Sequence, residues 1–305
     1  MNVATAVKKF RESDLVREKE LGNGISSFNF KSKAFKKGIW NEQTIKARDL
    51  FIDTTNNRVI ARSYDKFFAP GEADEPKHFA DVAEELQYPA IAYKKYNGYL
   101  GIVSGGLDGS ELFVASKSTN TGEFAERFQR ILDSRISKNL QKALAWYLYA
   151  NNRSAIFEVV DPVEDPHIVK YDSENLILLD LVENQLKFKA APYSEVQWLG
   201  ELLQVDYKEI EQLWYNPEEA NAGMSEIFAE NVDDEGVVIV DHNEHMVKIK
   251  TKWYKMWKHE RSRLQYYRAH KDEVKQSGDA SDILYKWADS HEGNIIDYRN
   301  WLTGK

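Results

Sequence analysis

The chain has no cysteine among its 305 residues. Disulfides, thiolate metal sites and cysteine nucleophiles are therefore excluded. No apolar run reaches the roughly 18 residues that a membrane span needs. The opening, MNVATAVKKFRESDLV, lacks the apolar stretch of a signal peptide. A cytoplasmic protein with no membrane partner is the expectation. An excess of positive charge is missing too: 41 Lys and Arg against 49 Asp and Glu leave a net charge of −8. That balance argues against a nucleic-acid partner only globally, because a phosphate feels the patch within a Debye length, about 8–10 Å.

Two patches are basic despite the total. One is Lys31, Lys33, Lys36 and Lys37; the other runs from Lys248 to Arg263 and holds seven Lys or Arg. The second interleaves its charges with Trp253, Tyr254 and Trp257, a mix suited to phosphate contact plus base stacking. Taken alone, it also reads as a solvated helix face with its aromatics turned to the core. With 42% hydrophobic and 30% charged residues, the composition is that of a soluble globular chain.

Residues 1–40 are polar and mixed, and read as a loosely structured lead-in. β-rich runs at 48–54 and 58–63 flank Thr55-Asn56-Asn57 as a hairpin. A short helix is predicted over 79–87, then strands at 90–94, 98–104 and 111–117. Residues 121–150 read as one long helix or two close ones, with Thr121 as N-cap. Strands at 154–160, 167–171 and 176–182 follow, then helices at 193–204 and 217–230 and strands at 235–241 and 245–250. Helical patterns fill 253–271 and 281–287. The layout is α+β, with antiparallel-rich sheets and helices packed outside.

Four short strings carry chemistry. Lys95-Tyr96-Asn97-Gly98 places a lysine before a tight glycine turn between two apolar stretches. An amine attacks phosphorus only when deprotonated, so such a lysine needs its pKa lowered from about 10.4. Lys248 and Lys250 lie two apart on a strand, so both face one side, where they can grip an α-phosphate and depress the pKa of Lys95. Glu235 sits at the mouth of the apolar run Val237 to Val240, and a hydrated Mg2+ bridging to phosphate suits it. Glu158 lies inside the apolar strand AIFEVV, and ribose hydroxyls are natural donors to it. A structural salt bridge would equally satisfy either glutamate. Lys94 alternates to the face opposite Lys95.

In order and spacing these strings resemble the covalent nucleotidyltransferases, the ATP-dependent ligases and capping enzymes. Lys95-Tyr96-Asn97-Gly98 resembles the first motif, Phe157-Glu158 the third, Glu235-Gly236 the fourth and Lys248-Ile249-Lys250 the fifth. Upstream, Ala47-Arg48-Asp49-Leu50-Phe51 and Ala61-Arg62-Ser63-Tyr64-Asp65-Lys66-Phe67-Phe68 resemble the segment preceding the lysine motif in phage-type single-stranded RNA ligases and fungal tRNA ligases. Ser116-Lys117-Ser118 resembles a nucleotide-contacting position of that branch. The resemblance covers about residues 45–250.

The resemblance implies a nucleotidyltransferase fold with ATP-grasp-like antiparallel sheets over 1–251 and a short helical C-terminal tail over 252–305, a segment that could touch RNA. It implies ATP with Mg2+, or Mn2+ in its place. Lys95 would carry AMP, Glu158 the ribose and Glu235 the metal, while Lys248 and Lys250 would contact the α-phosphate. Arg48 and Lys66 would contact the triphosphate, Phe68 would stack near adenine, Gly98 would close the motif turn and Lys117 would help hold the nucleotide. The implied partners are RNA ends bearing a 5′-phosphate and a 3′-hydroxyl, with a kinase or phosphatase to prepare them. Asn97 stands where most DNA ligases and many RNA ligases have aspartate. A DNA ligase, a capping-type enzyme and a non-catalytic nucleotide- or RNA-binding module are the alternatives.

Overall fold

The first forty residues are ordered secondary structure, contrary to the lead-in expected of them. In the computed structural model, which describes residues 2–276 and 282–304, α1 (Val3–Glu12) is capped by the Asn2 side chain and buries Ala6, Val7 and Phe10 at helical spacing. Strands β1 (Val16–Gly22) and β2 (Ile25–Phe30) follow, then the short helices α2 (Ser32–Lys37) and α3 (Glu42–Lys46). With β3 (Leu50–Asp53) and β4 (Arg58–Arg62) they form an antiparallel sheet ordered β1-β2-β3-β4. β2 pairs in register with β3, Ile25 opposite Asp53 and Phe28 opposite Leu50. The polar composition misleads because the edge strand β1 is mostly exposed and β2 buries Ser26, Ser27 and Asn29 beside its apolar residues, while Phe28, Leu50 and Ile52 pack beneath α1.

Next come α4 (Phe79–Glu85), β5 (Ala90–Lys94), β6 (Tyr99–Ser104), β7 (Phe113–Ser116), α5 (Glu123–Arg135), α6 (Lys138–Ala150), β8 (Arg153–Val160) and β9 (Asn175–Glu183). The helical stretch after residue 120 is two helices, broken at Ile136 and restarted by the Ser137 cap; the first begins after Gly122, not at Thr121. α7 (Tyr193–Leu203), β10 (Asp206–Tyr207) and β11 (Ile210–Trp214) lead to α8 (Pro217–Ala229), β12 (Gly236–Val240) and β13 (Met246–Lys250). β10 and β11 carry no clear strand signal in the sequence, since β11 alternates weakly and is mostly exposed. The expected strand at 167–171 is absent: Ile168 and Val169 are buried in a loop instead.

The five-stranded sheet β10-β9-β8-β6-β7 lies at the centre. β8 and β9 read as near-continuous apolar runs because both their faces are covered. Phe157, Val159, Leu176 and Leu178 meet α5, α6 and α7, and Ile102, Ile156 and Val182 meet the N-terminal sheet through Phe51, Ile60 and Ala61. A third sheet, β11-β5-β12-β13, sends Ala90, Ala92, Val237, Ile239, Val247 and Ile249 to a core under α4 and α8. Its opposite face, with Tyr93, Val238, Val240, Lys248 and Lys250, borders a cavity against the central sheet. The two-residue period of a strand thus sorts greasy residues from cations on β13.

The C-terminal segment is α9 (Lys252–Ala269), α10 (Lys271–Gln276), α11 (Ile283–Ser290) and α12 (Ile295–Thr303). The start expected at Ser281 lies outside the described residues. Tyr254, Trp257, Leu264, Trp287 and Tyr298 pack with Ile168 and Val169, and Arg299 donates to the Ile168 carbonyl at 3.0 Å. Tyr254 and Trp257 are buried, and Trp253 packs against the same cluster. These aromatics therefore hold the helices to the sheet unit and do not offer rings to bases. Among the described residues no helix is long and apolar enough to cross a membrane.

Candidate active site

Lys95 follows directly on β5, and its backbone N–H donates to the Gly236 carbonyl at 2.8 Å. Its ammonium lies 2.9 Å from Glu235 Oε1. Lys250, arriving on β13, donates to the same oxygen at 2.7 Å. Gly236 makes the approach of these strands feasible: its φ is +127°, and a Cβ there would stand 2.1 Å from the Ile249 carbonyl oxygen. Gly98 has a similar reason. A Cβ on it would meet the Val159 carbonyl oxygen at 2.1 Å, and this closeness lets its N–H donate to Glu158 Oε1 at 2.7 Å.

The protonation balance differs from expectation. Burial pushes the Lys95 pKa down, but the carboxylates of Glu235 and Glu158 outweigh it, and the net shift is upward. The expected lowering by Lys250 and Lys248 does not prevail, because Glu235 accepts from both Lys95 and Lys250 and its charge favours the ammonium form. Burial raises the Glu235 carboxyl, yet Lys95 and Lys250 pull it below its ordinary value. Glu158 is raised, chiefly by burial. Burial holds Lys250 below the usual lysine range even with its partner.

Further along β13, Lys248 pairs with Glu72 at 3.0 Å, and burial lowers its pKa. Lys66 lies beside it, lowered to about 7 by burial and by the charge of Lys248. Its Nζ sits 3.9 Å from the Phe68 ring centroid and 5.0 Å from that of Trp40. Arg48 lies over Phe67 at 5.3 Å and reaches Asp49 at 3.4 Å. Lys95, Lys250, Lys248, Lys66, Arg48, Glu158 and Lys117 all line one cavity of about 1050 Å³. Phe68 does not; its ring turns edge-on to Trp40 at 5.2 Å, and Phe67 lines the cavity instead. Lys94 leaves Lys95's direction and comes within 4.0 Å of Glu209.

Asn97 is a joint rather than a ligand group, 4% exposed and off the main cavity wall. Its Nδ2 donates to Glu235 Oε2 at 2.8 Å and to the Tyr254 hydroxyl at 3.1 Å. Its Oδ1 accepts from the amides of Ile168 and Val169, each at 3.0 Å. An aspartate could accept those two amide bonds but could not donate to Glu235. The amide side chain therefore fits a position where a carboxylate must be held from behind.

As placed, Glu235 has both oxygens engaged and is 2% exposed. No group of three or more acidic or histidine side chains converges among the described residues. The donor set suits a cation that keeps water and phosphate oxygens as most of its ligands and takes one carboxylate. Glu235 would serve it only in exchange for an ion pair.

Sequence reasoning missed the far end of the cavity. Asp180 accepts from the Tyr64 hydroxyl at 2.7 Å and from Lys208 at 2.8 Å, and Lys208 lies 4.1 Å from the Tyr93 ring centroid. All four residues line the cavity. Asp180 carried a readable signal, a lone carboxylate in the apolar run LILLDLV. Lys208, between two short strands, carried none.

The sequence profile of an RNA ligase family matches residues 46–254, the span that holds this whole constellation. The chain belongs to that RNA ligase family. A tRNA ligase of Candida albicans is 28% identical to it over 229 residues, which is 64% of the chain but 26% of the relative. The chain thus spans about a quarter of that relative's length. An archaeal ATP-dependent RNA ligase superposes with a TM-score of 0.57 at 14% identity, covering 97% of this chain and 73% of the other. An Aquifex aeolicus protein classed as an ATP-dependent DNA ligase gives 0.55 at 18% identity, covering 93% and 76%. The α+β fold is that of the ATP-dependent ligases, and at 93–97% coverage the likeness takes in most of the N-terminal sheet and C-terminal helices.

Proposed function

We propose that this ligase seals RNA ends with ATP through a covalent Lys95 adduct. The Lys95 amine, once deprotonated, attacks the α-phosphorus of ATP. The N–P bond forms, the bond to the bridging oxygen of the β-phosphate breaks, and pyrophosphate leaves. An oxygen of an RNA 5′-phosphate then displaces Lys95, whose nitrogen regains a proton, and leaves AMP on the RNA end. In the last step a 3′-hydroxyl attacks the 5′-phosphorus, gives up its proton and expels AMP. Lys250 and Lys248 stabilise the charge on the α-phosphate in each transfer. Arg48 and Lys66 hold the outgoing phosphates, Glu158 accepts from the ribose, and Lys117 braces the nucleotide. A divalent cation, Mg2+ or Mn2+, would supply further charge neutralisation between the phosphates, with Glu235 as its protein ligand.

The observation that carries this reading is the convergence of Lys95, Glu235 and Lys250 at 2.7–2.9 Å from three separate segments, with both lysines lining a cavity rich in cations. The ion pair also indicates how the nucleophile is controlled. With Glu235 engaged by Lys95, the amine stays charged; when Glu235 is engaged elsewhere, burial and the nearby Arg48 act against Glu158 alone and the balance moves toward the neutral form. Residues 1–251 would constitute the adenylating unit, and the described helices beyond it an appendage whose Tyr254 braces Asn97 from behind. Substrate ends carry a 5′-phosphate and a 3′-hydroxyl, so ends of other chemistry need a kinase or phosphatase first. Every described element from residue 252 onward is helical, so no barrel follows directly on the last lysine motif within these residues.

The test is incubation with α-phosphate-labelled ATP and a divalent cation, followed by a denaturing gel. GTP and the Lys95→Ala variant run alongside. A labelled protein band from ATP, lost in the variant, is expected, and 5′-phosphorylated RNA should then chase the label into an RNA adenylate. A folded chain not already adenylated that gives no band would reduce the site to nucleotide binding. A chase by DNA ends and not by RNA would overturn the substrate.

A further inference from the structure

Around the reaction centre the cations are buried and paired, yet one wall of the same cavity carries cations in no hydrogen bond or close ion pair, Lys31 feeling Asp14 only at a distance. Arg17 on β1, Lys31 just before α2 and Lys36 within it line the cavity and are exposed. Their side chains form no hydrogen bond or ion pair with any described residue. Phe35, also on α2, lines the cavity with 61% of its surface exposed. Its ring touches Trp40 only edge-on at 6.4 Å and leaves a face in water beside those cations, while the helix is anchored by buried Ala34.

This wall is continuous with the phosphate-gripping end of the site. On β13 the cavity runs from Lys250, which shares Glu235 with Lys95, to Lys248, two residues or about 7 Å onward. Lys248 neighbours Lys66, and Lys66 lies between the rings of Phe68 and Trp40. Trp40 meets Phe35 edge-on at 6.4 Å and Phe30 at 5.1 Å. The path therefore leads from Lys95, past Lys250 and Lys248, to α2 and β1. A cavity of about 1050 Å³ is at the upper limit of the roughly 300–1,000 Å³ typical of small-ligand sites, so one nucleotide leaves room in it.

We propose that Arg17, Lys31, Lys36 and Phe35 hold the leading nucleotides of the RNA strand that carries the 5′-phosphate. This rests on the reading of the reaction given above. In an in-line displacement the incoming 5′-phosphate approaches the α-phosphorus from the side opposite Lys95, the side toward Lys248 and Lys66. The strand behind that phosphate then crosses α2. Pyrophosphate alone would need only the inner cations; a stacking ring beside a row of free cations is the arrangement of a single-strand site.

Two variants test this, Phe35→Ala and the triple Arg17→Ala/Lys31→Ala/Lys36→Ala, all at exposed positions. Affinity for a fluorescent, 5′-phosphorylated single-stranded 12-mer RNA is read by anisotropy over a range of salt. The triple variant should bind more weakly, with the slope of log K against log salt smaller by about 2, or roughly 0.7 per lost phosphate contact. Phe35→Ala should weaken binding about tenfold with little change of slope. Lysyl-AMP formation from ATP without RNA should stay within about twofold of the parent chain in both variants, as expected of groups outside the inner phosphate cluster. In sealing assays the parent should prefer an oligonucleotide donor over a mononucleoside 3′,5′-bisphosphate, and the variants should lose that preference.

Unchanged RNA affinity and salt slope would overturn the proposal. So would a loss of lysyl-AMP formation equal to the loss of sealing, which would assign the wall to ATP, or a loss that follows acceptor length instead of donor length. If the parent formed no lysyl-AMP, the reaction itself would fall, and the binding measurement would still decide the wall.

Discussion

Two groups of cations face one cavity, and they are built in opposite ways. Lys95, Lys250 and Lys248 come from strands of the third sheet or their ends, are largely buried and each contact a carboxylate at 3.0 Å or less. Arg17, Lys31 and Lys36 come from the N-terminal sheet and its short helix, exposed and in no hydrogen bond or close ion pair. A buried charge is tolerated only when paired, so the inner group is fixed in place and its protonation is set by its neighbours. An exposed charge costs little to leave open and is free to meet a phosphate from solution. The first arrangement suits chemistry at one atom, the second suits grip on a chain.

The comparison would break most visibly if the inner group proved replaceable. Lys250→Ala should slow both lysyl-AMP formation and its transfer to RNA by about 10²–10³, the scale for losing one group that stabilises transition-state charge. Single-turnover rates of the two steps measure this; a loss confined to one step would deny Lys250 a common phosphate. Next in size is Glu235→Gln. Removing that carboxylate takes away the largest influence raising the Lys95 pKa. The midpoint of the pH profile of lysyl-AMP formation should therefore move to lower pH, even as the rate falls. A shift upward would mean that Glu235 does not govern Lys95.

Lys66 sharpens the comparison through pH. Its pKa of about 7 leaves it mostly neutral in alkaline solution, and a bound polyphosphate raises that pKa. Binding then takes up a proton above pH 7, so affinity for ATP should decline with rising pH, by up to about tenfold per unit. Isothermal titration in buffers of different ionisation enthalpy would detect the proton, and Lys66→Met should abolish its uptake. The smallest effect is expected from Lys94→Ala. Lys94 borders the cavity but its ammonium points to Glu209 at 4.0 Å and to the Tyr96 ring at 5.8 Å, not to Glu235, so adduct formation should stay within about twofold, as for weak ion pairs generally. Equal losses from Lys94 and Lys95 would show that the nucleophile is misassigned.

What could be read without a structure follows the range of the signal. Lys248 and Lys250 declared a shared face by spacing alone and Gly98 a turn after the lysine, whereas the close approaches at Gly98 and Gly236 became visible only in the structure. The central strands announced themselves as apolar runs because both faces are covered. Residues 1–40 did not, since an exposed edge strand, a strand with buried serines and short helices look like polar coil in composition. The loop at 167–171 looked like a strand because Ile168 and Val169 are apolar, yet their amides are satisfied by Asn97, seventy residues away. Trp253 and Trp257 read equally well as stacking rings or as core, and packing decided for the core.

By itself the sequence determined the local grammar of this ligase: the lysine before its glycine turn, the glutamates in apolar strands, the paired lysines of β13 and the order that marks the family. Tertiary structure alone decided which charges meet. Glu235 binds Lys95 across 140 residues and thereby raises the pKa that two neighbouring lysines were expected to lower. Asn97 turns away from the cavity to brace that glutamate, and the N-terminal sheet supplies a wall to the site. Electrostatic balance depends on distances of a few ångströms between segments far apart in the chain, and no local pattern encodes those distances.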